Sequence, residues 1–234
     1  MKRRAAALIA LALAACRNEP APAEAAKPIV HVLTSLPLLF DEGFALGPAT
    51  GEAATFLRDR YRLKPIDLPS QLPPGAILLA AQPRALPAEE LVALDAWVRG
   101  GGKLLLLADP LLEWPSERPL GDRMRPPVSF ADTGLLAHWG LRLDAPDKRG
   151  PRSVSYDGFG LDFVSPGRLV RTGGTCELGD DEILAHCTLG RGSVTIVADA
   201  DLLNVAGVEA ALGRRTDNLS VLELRLSTLI SKAK

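Results

Sequence analysis

Residues 89–110, EELVALDAWVRGGGKLLLLADP, read as a helix, a tight turn and a buried strand in direct succession. Leu91, Leu94, Trp97 and Val98 recur at the three-and-four spacing that lines up apolar side chains on one helical face. Pro87 sits where a first-turn proline is tolerated. Gly100, Gly101 and Gly102 then stop the helix, because glycine reaches the left-handed conformation that closes a helix C-terminus without steric cost. Residues 103–108 follow with no polar alternation, the pattern of a strand covered on both faces. The stretch therefore predicts an α/β layered fold on a mainly parallel sheet.

Upstream of it, residues 29–33 predict a first strand with Thr34 and Ser35 at its carboxyl end. A loop then leads to a helix capped by Thr50 or Thr55, with Ala54, Leu57, Arg58 and Tyr61 continuing its face. Residues 63–68 predict a second strand, placed at an edge by Pro65, and residues 76–81 a third. Downstream, residues 111–130 carry Pro115, Pro119, Pro126 and Pro127 among mixed charges and predict an extended surface loop of functional or mobile character. Asp132 is placed to cap a short helix over 133–139, ended by Gly140 and followed by a short strand over 141–143. From 153 to 187 apolar and polar residues alternate, which predicts short antiparallel strands. Residues 193–198, after the Gly190-Arg191-Gly192 turn, read as the last buried strand. Residues 202–212 and 216–231 read as helices, the second with Leu219, Leu222, Leu226, Leu229 and Ile230 on one stripe.

The 234 residues, 47% of them apolar, suit one sizeable core. A net charge of -1 offers no basic excess to neutralise phosphates, so no nucleic-acid partner is expected.

The first residues are the most specific signal. Lys2, Arg3 and Arg4 precede an apolar run, residues 5–13, too short to span a bilayer comfortably, and then Leu13-Ala14-Ala15-Cys16. LAAC resembles the lipobox of bacterial lipoproteins, which implies removal of the residues before Cys16 and a lipid on Cys16 that anchors the chain to a membrane; the alternative is an ordinary secretory signal with an incidental cysteine. The chain then divides into a signal peptide over 1–16, a flexible tether over 17–28 (RNEPAPAEAAKP, without apolar period) and one domain over 29–234. This places the domain on the periplasmic face of the cell envelope. Arg17 stands where the sorting pattern has Asp for inner-membrane retention, which favours the outer membrane. Cys176 and Cys187 form an even pair in such a compartment, with Gly179 and Asp180 as turn formers between them, and they are either bridged or two free thiols.

In an open α/β sheet, ligands bind beyond the carboxyl ends of the strands. The polar residues there are Thr34, Ser35, Gln82, Asp109, Asp199 and Asp201, which are the candidate ligand- or partner-binding residues. Each aspartate can equally cap the next turn, and only their convergence distinguishes a site. No metal is expected, because Asp199-x-Asp201 lacks the further oxygens a cation needs and Cys176, Cys187 and His186 supply too few ligands. No cofactor is expected either, since the glycine run precedes a strand instead of a helix N-terminus. His186 and Cys187 point to opposite faces of a strand, and Ala108-Asp109-Pro110 holds no nucleophile where a strand-to-helix elbow would carry one. His31 reads as a satisfied strand residue and His138 as a helix-surface residue.

PAEELVALDAWVRGGGKLLLLADP, together with LGRGSVTIVADADLLN at 189–204 and Asp217-Asn218-Leu219, resembles the auxiliary proteins of ABC transport systems related to the gliding-motility component GldG. The resemblance implies a flavodoxin-like three-layer sandwich, similar to class I glutamine amidotransferases without their nucleophile and with a small antiparallel addition. It implies a non-catalytic binding or accessory component of an ABC-type export system, with a permease or ATPase as partner. Larger family members carry a C-terminal membrane helix, which the lipid on Cys16 would replace here. Two other readings stand beside it: a hydrolase of envelope carbohydrate using paired carboxylates, and a purely structural lipoprotein.

Overall fold

A computed structural model describes residues 27–42, 48–156, 158–179 and 181–231. The expected signal peptide, Cys16, the part of the expected tether before Lys27, and Asp180 lie outside the described residues. The chain enters the main sheet through β1 (Ile29–Thr34) and continues as α1 (Glu52–Arg60), β2 (Arg62–Pro65), β3 (Ile77–Ala81), α2 (Ala88–Arg99) and β4 (Lys103–Leu107). It then leaves the sheet for α3 (Leu135–His138), β5 (Leu141–Asp144), β6 (Pro151–Tyr156), β7 (Phe159–Val164) and β8 (Arg168–Arg171). β9 (Cys176–Leu178), β10 (Leu184–Leu189) and β11 (Gly192–Val197) return to it, and α4 (Val205–Leu212) and α5 (Asn218–Ser231) close the chain.

The seven strands lie in the order β2-β1-β3-β4-β11-β10-β9. The first five are parallel, β10 pairs antiparallel with β11, and β9 antiparallel with β10. All residues of β3 and β4 are buried, as their unbroken apolar runs require. On one face Leu33, Ala80 and Leu106 meet Leu91 and Leu94 of α2 and Leu135 of α3. On the other, Leu105, Leu107 and Val197 meet Val221 and Leu222 of α5, which Arg60–Glu223 ties to α1 at 3.0 Å. Each leucine so buried contributes roughly 2 kcal/mol against exposure, so this double-sided cover is the main source of the fold's stability. The antiparallel pairs β5–β8 and β6–β7 form two small separate sheets.

The turn after α2 is as tight as its glycines allow. Gly101 takes φ 115°, and a Cβ on Gly102 would lie 2.5 Å from the Trp97 ring, which is held by its Nε1 donating to the Pro73 carbonyl at 2.9 Å. Cys176 and Cys187 face each other across β9 and β10 with Cα atoms 4.1 Å apart and are joined by a disulfide, which leaves no free thiol at this edge.

Several expected details differ. α1 is capped by Gly51 without a side-chain bond; Thr50 instead donates its N–H to Asp41, and Thr55 lies inside the helix. The second strand stops at Pro65, three residues short, at the sheet edge where a missing N–H is tolerated. The helix expected over 202–212 is broken: Asp201–Leu203 is a 3-10 turn, and Asn204 caps α4 by accepting from the Gly207 N–H at 3.2 Å. α5 buries Asn218, Val221, Leu222, Leu226 and Leu229, while Leu219 and Ile230 are only partly buried against the core. Pro87 precedes α2 as its cap instead of lying in the first turn, and the short helix spans only Leu135–His138. The 111–130 loop is not simply extended over the surface, since Leu112 and Pro126 are buried and Leu112 pairs with Val128. His31 is 3% exposed on β1, against the Ile77 backbone of β3; burial, then the nearby Lys64 charge, push its pKa down.

Candidate functional site

β4 and β11 run parallel and end level with each other, which carries Asp109 and Asp199 to the same end of the sheet. Both are fully buried, and Asp201 is 2% exposed. Their oxygens accept backbone N–H groups of the loops that leave the sheet. Asp109 takes Leu111 at 2.7 Å and Ala200 at 3.0 Å, Asp199 takes Leu202 at 2.7 Å and Val164 at 3.1 Å, and Asp201 takes Glu113 at 2.6 Å. Burial pushes the Asp109 carboxyl up to about 6 and Asp201 to about 7. Asp199 is raised well above the usual range by burial first, then by the Asp109 and Asp201 charges. The second oxygen of Asp201 has no partner. Among the described residues no group of three His, Cys, Asp or Glu side chains is disposed to hold a metal ion.

Gln82 extends this arrangement toward β3. Its side chain accepts from the Asp109 N–H at 2.9 Å and donates to the carbonyls of Asp109 and Pro127, both at 3.1 Å. Its own backbone sits at φ 44°, a conformation a non-glycine residue holds only when its surroundings demand it. Thr34 and Ser35 complete the row: Thr34 Oγ1 donates to the Ala81 carbonyl at 2.7 Å and Ser35 Oγ to the Gln82 carbonyl at 2.5 Å. All six sequence candidates thus lie along the carboxyl ends of β1, β3, β4 and β11 and all six bond to backbone, and of them Thr34 and Ser35 line the adjoining cleft.

Space opens toward β1 and β2. The chain passes from β1 to β2 on one side and to β3 on the other, so the loops part there. A cleft of about 620 Å³ lies between them, lined among others by Ser35, Phe40, Arg84, Arg118, Arg123 and Met124. The three aspartates are not in its wall. The 111–130 loop forms one side and is pinned internally: Arg125 donates to the carbonyls of Ser116 and Arg118, Arg84 to that of Arg125, and Arg118 to that of Glu42.

The arginines of this cleft were not legible in the sequence, where they read as scattered loop charges. Glu113 and Ser165 were missed as well. Ser165 Oγ donates to Glu113 at 2.9 Å and accepts the Gly150 N–H at 2.9 Å, from a backbone at φ 53°. Nothing in Val164-Ser165-Pro166 announces that position. His138 lies on the surface with Nε2 3.4 Å from Asp95. His186 and Cys187 alternate across β10 and form no nucleophile–base pair.

A family model described as an ABC-type uncharacterized transport system, auxiliary, matches residues 27–146, from β1 to the end of β5. No curated protein matches the chain. Among solved structures, the mmIFT52 N-terminal domain is 13% identical with a TM-score of 0.52, over 86% of this chain and 97% of that one, a likeness of fold alone. The exo-beta-1,4-mannosidase Op5Man5 from Opitutaceae bacterium strain TAV5 is 15% identical with a TM-score of 0.47, over 89% of this chain. This chain spans 35% of that mannosidase. The cytoplasmic protein STM1381 from Salmonella typhimurium LT2 is 10% identical with a TM-score of 0.43, over 79% of this chain and 96% of that one.

Proposed function

Starting from a chain that belongs to the auxiliary family of an ABC-type uncharacterized transport system, we propose that it is a lipid-anchored, non-catalytic accessory protein of an ABC-type exporter. The observation that carries this is the family match across the first half of the domain, including β4 and its Asp-Pro exit. In this reading Cys16 bears the lipid, the domain stands in the periplasm, and its partner is the transporter's permease or ATPase complex.

The disulfide supports an oxidising compartment, because such bonds persist outside the cytoplasm. The strand order β2-β1-β3-β4-β11 supports a flavodoxin-like, amidotransferase-like core. At the β4 exit Asp109 has both oxygens bonded to backbone N–H groups. The same bonding weighs against a carboxylate hydrolase, whose acids must reach a substrate. Thr34 and Ser35, at the open cleft, are better placed to meet a ligand or partner than Asp109, Asp199 and Asp201, whose part is to hold the loops that shape that face.

Full-length chain expressed in its own host is expected to incorporate a radiolabelled or clickable fatty acid and to co-purify with a transporter permease or ATPase. Cys16→Ser should abolish the label. Labelling of the Cys16→Ser chain, or a wild-type chain that never recovers a transporter subunit, defeats the reading.

A further inference from the structure

Phe40, Leu120 and Met124 are 66%, 78% and 64% exposed, although each is large and apolar. Phe40 and Met124 line the same cleft, and Leu120 lies in the loop between the cleft residues Arg118 and Met124. The loop that presents Leu120 and Met124 is held in shape. Arg125 and Arg84 bond its carbonyls, Ser116 Oγ donates to Glu42 at 2.9 Å, and the Asp122 and Arg125 N–H groups close two turns on Pro119 and Asp122. Folding therefore orders a platform and leaves its apolar tips in water, which is the signature of a surface awaiting a partner.

The direction this surface faces limits what can cover it. The chain enters at the amino end of β1, where the Arg62 N–H donates to the Pro28 carbonyl at 2.8 Å, whereas the cleft lies at the carboxyl ends of β1 and β2. Twelve residues, 17–28, separate Cys16 from β1. In any conformation they span at most roughly 40 Å. A domain of this size is itself about 40 Å across. The far face therefore meets the bilayer that holds the lipid only with every one of those residues drawn straight around the domain. Two copies anchored in one membrane would have to tip over on their tethers to pair this face with itself. What remains is another protein.

We propose that Phe40, Leu120 and Met124 form the docking surface through which this chain, as the lipid-anchored accessory protein argued above, grips an apolar hollow on an extracytoplasmic segment of its transporter. The aromatic, the methionine and the flanking Arg84 and Arg123 are residue types that protein interfaces concentrate. The cleft beneath admits side chains of the partner between them.

A photoreactive amino acid at position 120 of the full-length chain, irradiated in its own host, is expected to crosslink to a transporter subunit identified by mass spectrometry. The same probe at Val92, 69% exposed on α2, should crosslink it at least tenfold less. Alongside it, Phe40→Ser/Leu120→Ser/Met124→Ser should cut transporter recovery at least tenfold while the far-ultraviolet circular dichroism and thermal midpoint stay at the wild-type values. An adduct with lipid or with a second copy of this chain, equal crosslinking from Val92, no adduct at all, or undiminished recovery by the triple variant overturns the docking surface. If wild-type chain recovers the transporter and the triple variant does too, only this inference falls. If wild type recovers none, the accessory-protein reading falls with it.

Discussion

At the exits of β4 and β11 the loops are pinned to buried carboxylates, whereas at the exits of β1 and β2 they part around a cleft of about 620 Å³. Both regions lie at the same end of one sheet, and both are rich in the polar residues that mark ligand sites in such folds. The difference is where the polar atoms point. Asp109 and Asp199 spend both oxygens, and Asp201 one, on N–H groups that would otherwise be buried without partners, so they close their end of the sheet. At the other end Ser35 and the arginines border open space. A row of acids at strand ends is thus not evidence of a binding site until the bonds of each oxygen are known.

The largest test of this contrast removes the acid that holds two loops at once. Asp199→Ala strands the buried N–H groups of Val164 and Leu202, and it is expected to cost about 4 kcal/mol in urea unfolding. Ser35→Ala, measured the same way, should cost under about 1 kcal/mol, because its hydroxyl is partly exposed and water can replace it. Equal costs would erase the distinction between the two ends.

Next comes pH. The folded-state values of Asp109 and Asp201, about 6 and about 7, lie above the ordinary 3.8, so between these limits the folded chain binds more protons than the unfolded one. That contribution is full below pH 3.8 and is lost as pH rises through 6 to 7. Stability should therefore rise by about 3 kcal/mol from pH 7 to pH 5, read as denaturant midpoints. Further acidification should reverse the trend. Asp95, Asp144 and Asp162 are held below the usual value by Arg99, Arg142 and Arg214 and lose those bonds as they protonate. Asp201→Asn should flatten the pH 5 to 7 rise, and an unchanged slope would mean that this acid is not the one titrating.

A smaller effect is expected at Gln82, which joins the two regions. Gln82→Ala removes three bonds to the Asp109 and Pro127 backbone and should cost about 2 kcal/mol by thermal unfolding. It should also speed amide exchange in the 111–130 loop. Slower or unchanged exchange would show that the loop is held by its own arginines alone.

The helix, glycine turn and strand of residues 88–107 were legible because each rests on a local rule: apolar spacing, glycine at a helix end, unbroken burial. The edge position of Pro65 was legible for the same reason. The break at Asn204 was not, because a helical pattern and a capped restart differ by one side chain reaching three residues on. Nor was the Arg84–Arg118–Arg123 wall, whose members meet only when distant loops fold together.

Composition and periodicity alone determined the layered α/β class, the strands that must be buried, the turn after α2 and the row of polar residues at the strand ends. These follow from interactions within a few positions along the chain, which is the range a pattern can carry. Tertiary structure alone decided that Cys176 meets Cys187, that Asp109 and Asp199 face backbone instead of solvent, and that the opening lies beside β1 and β2. The physical reason is that a carboxylate's role depends on which donors reach it, and here those donors come from residues as far as 91 positions away.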